Sequence, residues 1–152
     1  MVTKILVAED NPADVYLLRE ALSRESIDRG VELIVVTDGE QALEYVQRVG
    51  SFKDAVVPDL VVLDLNLPKS DGSDVLRCIR QTQAYAGIPV VVLTSSDSPR
   101  DRKVVESLGA NAFLTKPSDL DAFLALGRTL LGFSAPSAFT SDFLNAARIV
   151  PA

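Results

Sequence analysis

Apolar positions along this chain follow two rhythms. In Lys4–Ala8, Leu33–Thr37, Asp59–Asp64, Ile88–Thr94 and Ala112–Leu114 they are crowded together and rich in β-branched residues. The third and fourth of these runs contain LVVL and PVVVL. Unbroken apolar stretches of this kind mark parallel strands covered on both faces. Between the runs, apolar residues return every three or four positions, as on one side of a helix. The first predicted helix follows Asn11-Pro12, with Pro at an early position and Val15, Leu18 and Leu22 turned inward. The second is capped by Asp38, stops near Gly50 and buries Ala42, Leu43 and Val46. The third opens at Ser73 after Asp71-Gly72. The fourth has Ser98 as cap, Pro99 at its first position and Gly109 just past its end. The fifth follows Pro117-Ser118 and carries Leu120, Phe123, Leu124 and Leu130.

Strand and helix alternating in this way predict an open, doubly wound α/β domain with a parallel sheet. Right-handed crossovers then place helices on both faces. The domain is expected to span residues 1–132, without an internal linker or repeat. Residues 133–152, FSAPSAFTSDFLNAARIVPA, form a tail of different character. Ser141-Asp142 can cap a short helix bearing Phe143, Leu144 and Ala147. Chain ends commonly fray, but Phe133, Phe139, Phe143, Leu144, Ile149 and Val150 are apolar enough to dock on the domain itself or on a partner subunit.

Composition narrows the chemistry. The chain has 152 residues, and its net charge of −6 argues against nucleic acid or an anionic membrane surface as partner. With no histidine present, Ser-His-Asp and Cys-His catalysis and histidine-ligated zinc are excluded. The single Cys78 cannot form an internal disulfide and reads as a small core hydrophobe. No apolar stretch approaches the roughly 20 residues of a membrane helix, and Met1–Lys4 leads straight into the first strand, leaving no room for a signal peptide. A cytoplasmic protein is expected.

Against this background the polar residues at the strand ends stand out. The first strand releases Glu9-Asp10, the third releases Asp64 in VVLDLNLPKSDG, the fourth Thr94-Ser95, and the fifth Thr115-Lys116-Pro117. Ligands of open α/β sheets bind beyond the carboxyl ends of the strands, where the strand order reverses. If the first and third strands are neighbours, three carboxylates meet in one crevice, and their mutual repulsion needs a counter-charge. Magnesium suits such a site, since it favours oxygen ligands and is commonly held by one or two carboxylates together with phosphate oxygens. Lys116 adds a positive charge and Thr94 a hydroxyl, a set fitted to a phosphoryl group. An aspartate carboxylate can itself become the acceptor. Taken singly, Glu9-Asp10 reads equally as a solvated loop pair, Thr94 as a cap and Lys116 as a surface lysine. Asp64, directly after Leu-Val-Val-Leu, has no such plain reading.

The stretches VAEDNPADV, VVLDLNLPKSDG, VVLTSS and ANAFLTKP resemble the CheY-like receiver domain of bacterial two-component response regulators, over about residues 3 to 131. The resemblance implies a flavodoxin-like five-stranded sheet in the order 2-1-3-4-5. It implies Asp64 as phosphoacceptor, Glu9 and Asp10 as the acidic pair holding Mg2+, and the Asn66 backbone carbonyl as a further metal ligand. Thr94 would be the switch hydroxyl, Lys116 the lysine that pairs with the phosphoryl group, and Phe113 the aromatic switch residue, lacking the hydroxyl of the Tyr often found there. It also implies a cis Lys116-Pro117 bond, whereas an unaided X-Pro bond favours trans. The donor would be a sensor histidine kinase or phosphotransfer protein. With no output domain in the sequence, the signal is expected to leave through protein contacts on the face of the fourth helix, fifth strand and fifth helix. EDNPAD, LNLPK, TKPSDLDAF and the long QRVGSFKDAVVPDL segment are most similar to small receivers paired with bacterial phytochrome kinases, which implies a light-sensing partner and a homodimer.

Three other readings are weighed against this one. A flavin mononucleotide carrier shares the topology, but Glu9-Asp10 in its first loop would repel the phosphate. A phosphatase of the haloacid dehalogenase type also uses an aspartate nucleophile, yet its motif belongs after the first strand and needs a second acid where this chain has Asn66. A pseudo-receiver, binding partners without phosphorylation, would have no need of the complete set of side chains. The expectation is a signalling protein that takes a phosphoryl group onto its own aspartate and does not turn over a separate substrate.

Overall fold

The predicted strands form one parallel sheet, in which successive side chains point to opposite faces. The computed structural model describes residues 2–26 and 30–134. Strands β1 (Val2–Ala8), β2 (Gly30–Val36), β3 (Leu60–Leu63), β4 (Val90–Thr94) and β5 (Ala112–Thr115) lie in the order β2-β1-β3-β4-β5. β1 therefore pairs with β3, Ala8 opposite Leu63, and the strand order reverses between them. The helices are α1 (Pro12–Glu25), α2 (Gly39–Gln47), α3 (Gly72–Gln81), α4 (Pro99–Ser107) and α5 (Leu120–Ser134).

The alternation divides the core into two layers. Ile5, Val7, Leu60, Val62, Val91 and Leu93 face Leu18 and Leu22 of α1 and Phe123 and Leu130 of α5. Leu6, Ala8, Val61, Leu63, Val92 and Phe113 face Ala42 and Val46 of α2, Val75 and Ile79 of α3 and Val105 of α4. α1 and α5 pack closely because Gly127 lies against Ala21, where a Cβ would collide with the Ala21 carbonyl oxygen. Cys78 is a partly buried free thiol packed against the second layer.

Several expectations need correction. α2 stops at Arg48, which adopts a left-handed conformation (φ 57°) and donates its N–H to Tyr45, so the helix ends before Gly50. Val15 and Leu124 are only half-buried, and Leu120 is 56% exposed. Leu120 is the first residue of α5 and, with Tyr16, Leu17 and Leu124, lines a shallow groove between α1 and α5 rather than the core. Lys116-Pro117 is trans, since no peptide bond among the described residues is cis. The intrinsic preference of the X-Pro bond for trans, about 0.5–1 kcal/mol, here goes with a Lys116 N–H tied to the Thr94 carbonyl at 2.7 Å. α5 runs past the expected boundary at residue 132 to Ser134 and buries Phe133. The helix expected after Ser141-Asp142, and the docking of Phe139, Phe143, Leu144, Ile149 and Val150, lie outside the described residues. Among the described residues no helix is long and apolar enough to cross a membrane.

Candidate functional site

Strands β1, β3 and β5 each carry their hydrogen-bonded ladder one residue beyond the end, and that extra residue is polar. Glu9 N–H donates to the Val36 carbonyl, Asp64 N–H to the Ala8 carbonyl, both at 3.0 Å, and Lys116 N–H to the Thr94 carbonyl. The sheet thus fixes the backbone of two acids and the lysine while their side chains lean into the crevice. Gly72 closes the loop after β3. Its N–H donates to the Leu65 carbonyl at 3.0 Å, and a Cβ there would collide with the Asp64 carbonyl oxygen. Only glycine lets α3 begin so near the end of β3.

Glu9, Asp10 and Asp64 are brought together, with one carboxylate oxygen of each lying within 4.8 Å of the others. Glu9 and Asp64 are buried, whereas Asp10 faces solvent. Lys116 reaches across from β5 with its ammonium 2.5 Å from Glu9 Oε1, 3.0 Å from Asp64 Oδ2 and 2.8 Å from Asp14 Oδ2. The remaining oxygens are also engaged. Asn11 N–H donates to Glu9 Oε2 at 3.1 Å, and Asn66 N–H to Asp64 Oδ1 at 3.2 Å. Asn66 itself is exposed, at the start of the loop running to Lys69, whose backbone is left-handed (φ 71°).

Electrostatics follow from this crowding. Burial pushes the Glu9 carboxyl up to about 7, with Asp64 adding to the rise, while hydrogen bonds from Lys116 and Asn11 draw it back. Burial acts on Lys116 in the opposite sense and favours the neutral amine. Hydrogen bonds to Asp14, Glu9 and Asp64 overcome that, so its pKa lies above the usual lysine value. The ammonium is the counter-charge that lets these acids share one crevice.

Thr94 ends β4, and Phe113 lies on the neighbouring strand β5. Thr94 is fully buried, and its hydroxyl oxygen accepts a long hydrogen bond from Ser96 N–H at 3.4 Å. Ser96 Oγ in turn donates to Asp101 of α4 at 2.6 Å. Phe113 points inward, 3% exposed, with the Arg102 guanidinium 4.7 Å above its ring.

Of the residues singled out from the sequence, Glu9, Asp10, Asp64, Asn66 and Lys116 are brought together, whereas the contacts of Thr94 and Phe113 run to Ser96 and Arg102 instead. Asp14 was the residue that sequence reasoning passed over. It stands in the first turn of a helix capped by the Asn11 side chain, where an acid is ordinarily explained by the helix dipole. Only the distance to Lys116 reveals a second role.

The donor set is wholly oxygen, with three carboxylates converging and one open to solvent. It fits a hard divalent cation such as magnesium and none that prefers nitrogen or sulfur.

Known proteins resemble this chain in sequence and fold. Response regulator Rcp1 of Synechocystis sp. is 42% identical over 116 residues, 76% of this chain and 78% of that one. The crystal structure of the phosphorylated cyanobacterial phytochrome response regulator RcpA matches with a TM-score of 0.82 at 35% identity, covering 91% of this chain and 98% of that one. The Mn2+-bound form of Rcp1 matches with a TM-score of 0.79 at 38% identity, covering 86% and 93%. Residues 5–127 match the response regulator receiver domain, and the chain belongs to that family.

Proposed function

We propose that the protein accepts a phosphoryl group on Asp64 with Mg2+ bound beside it, and signals through altered protein contacts. The observation that carries this reading is the convergence of Glu9, Asp10 and Asp64 around the Lys116 ammonium at the reversal of strand order. Glu9, Asp10, Asp64 and the Asn66 carbonyl would hold the ion, which supplies positive charge for the oxygens of the transferring group. Asp64 is positioned for in-line attack because its backbone is held by Ala8 and its Oδ1 by Asn66 N–H. As its carboxylate oxygen bonds to phosphorus, the phosphorus–nitrogen bond of a phosphohistidine breaks and the departing imidazole takes up a proton. Lys116 then pairs with the new phosphoryl oxygens, and Thr94 donates its hydroxyl to one of them.

That last contact links chemistry to signal. Thr94 connects through Ser96 to Asp101 on α4, and the neighbouring Arg102 covers Phe113. A phosphoryl group that draws Thr94 toward Asp64 favours one of two arrangements of the α4-β5-α5 face. With no histidine of its own, the chain takes its phosphoryl group from a separate kinase or phosphotransfer protein. The similarity to Rcp1 and to the phytochrome response regulator RcpA supports a bacterial phytochrome kinase as that donor. A cytoplasmic homodimer held partly by residues 133–152 belongs to the same proposal and rests on the apolar sequence of that tail. Sedimentation as a monomer at all concentrations, phosphorylated or not, would exclude it.

The test is intact mass after incubation with magnesium and acetyl phosphate. Wild type should gain one phosphoryl group and Asp64→Asn none. A folded wild-type protein that gains nothing from acetyl phosphate or from a phosphorylated kinase would instead be a phosphorylation-independent binding module.

A further inference from the structure

Lys116 is shared by three carboxylates, but only two of them, Glu9 and Asp64, belong to the cluster that could hold a cation. The third, Asp14, comes from the first turn of α1 and approaches the ammonium at 2.8 Å with its side chain 19% exposed. A cation arriving on Glu9, Asp10 and Asp64 binds two carboxylates, Glu9 and Asp64, that the ammonium now uses. Two like charges cannot share those carboxylates without cost. The lysine must withdraw, and a nearly buried ammonium that loses its partners is strongly disfavoured.

We infer that Asp14 is a positioning residue that receives Lys116 when the metal binds. It gives the ammonium a partner outside the metal cluster, so the ion gains Glu9 and Asp64 without stranding the lysine. The chain places it there by local means. Asn11 Oδ1 accepts hydrogen bonds from Ala13 N–H and Asp14 N–H, at 2.9 and 3.4 Å, fixing the first turn of α1 against the end of β1. The same Asn11 donates its N–H to Glu9 Oε2, so one cap orients two of the three carboxylates that face the lysine. The inference rests on the metal site proposed above and adds to it a residue that does not touch the ion.

Magnesium binding, measured by isothermal titration calorimetry without any phosphodonor, tests it. Four proteins form a cycle: wild type, Asp14→Asn, Lys116→Met and the double variant. Asp14→Asn should weaken Mg2+ binding about three- to tenfold, in the range of couplings within one ion-pair network. In the Lys116→Met background there is no ammonium to displace, and the same change should alter affinity by less than about twofold. Asp14→Glu, which keeps the charge, should restore most of the affinity. Equal weakening in both backgrounds would mean that Asp14 acts as a distant negative charge, and this inference alone would fall. An unchanged affinity in Asp14→Asn would overturn it as well. Failure of folded wild type to bind magnesium at all would remove both the metal site and this inference.

Discussion

The two ends of the sheet each hold a partly buried cation, and they hold it in opposite ways. At the carboxyl end, Lys116 sits among Glu9, Asp14 and Asp64. At the amino end, Arg80 of α3 meets no carboxylate among the described residues. Its Nε donates to the Gly109 carbonyl, Nη1 to the Tyr85 and Ile88 carbonyls, and Nη2 to Asn111 Oδ1, at 2.8 to 3.2 Å. Asn111 Oδ1 also accepts from Val90 N–H, so the arginine reaches the start of β4 through one further hydrogen bond. Burial without a counter-charge lowers the Arg80 pKa, whereas the carboxylates around Lys116 raise its pKa against the same force. A rigid guanidinium fork suits fixed carbonyls, and a flexible ammonium suits partners that must be exchanged. One end of the sheet holds its cation on neutral carbonyls and an amide oxygen, the other among carboxylates.

The largest expected effect separates these roles. Lys116→Met leaves Glu9 and Asp64 buried together without their counter-charge, and removing one side of a buried ion pair costs about 3–5 kcal/mol. Urea unfolding in EDTA should show that loss, and saturating magnesium should restore much of it, because the ion replaces the missing positive charge. A loss unaffected by magnesium would mean that the lysine is structural, as the arginine is.

Arg80→Ala should cost less, about 2 kcal/mol, because the abandoned carbonyls are neutral and some can turn to water. The loss should be equal in EDTA and in magnesium, and the folded variant should accept phosphate from acetyl phosphate as wild type does. If magnesium altered the Arg80→Ala deficit, the two ends of the sheet would be coupled and the contrast between them would fail.

Much of this contrast could be read in the sequence, but unevenly. The strands were legible because continuous β-branched runs admit few other structures, and Asp64 because a charged residue directly after such a run has no place in the core. Ser98-Pro99 and Asn11-Pro12 marked helix starts because capping is a local interaction. Asp14 and Arg80 were not legible. Each lies within a helix that has ordinary uses for its charge, and each meets partners far along the chain, Lys116 for one and Gly109 and Asn111 for the other. The end of α2 at Arg48 was hidden because the left-handed region strongly favours Gly, and Gly50 was near enough to mislead. The trans Lys116-Pro117 bond departs from what the resemblance implies and follows the bond's own preference.

A third cation sharpens the comparison at its weak end. Arg102 is exposed on α4 and lies over the Phe113 ring at 4.7 Å. An exposed cation–π contact contributes about 0.5–1 kcal/mol, so Arg102→Ala should lower stability by no more than that. If its only effect were on folding, the small loss would be the same with and without a phosphoryl group on Asp64. Phe113 is the inward-facing aromatic of β5, and Arg102 follows directly on Asp101, which holds Ser96 beyond Thr94. Any movement of Thr94 toward Asp64 therefore changes the footing of the cation over the ring. The loss on Arg102→Ala should consequently differ between unmodified protein and protein held in magnesium and acetyl phosphate. Equal losses in the two states would show that Arg102 covers Phe113 without sensing the site, and that the route from Thr94 into α4 stops at Asp101.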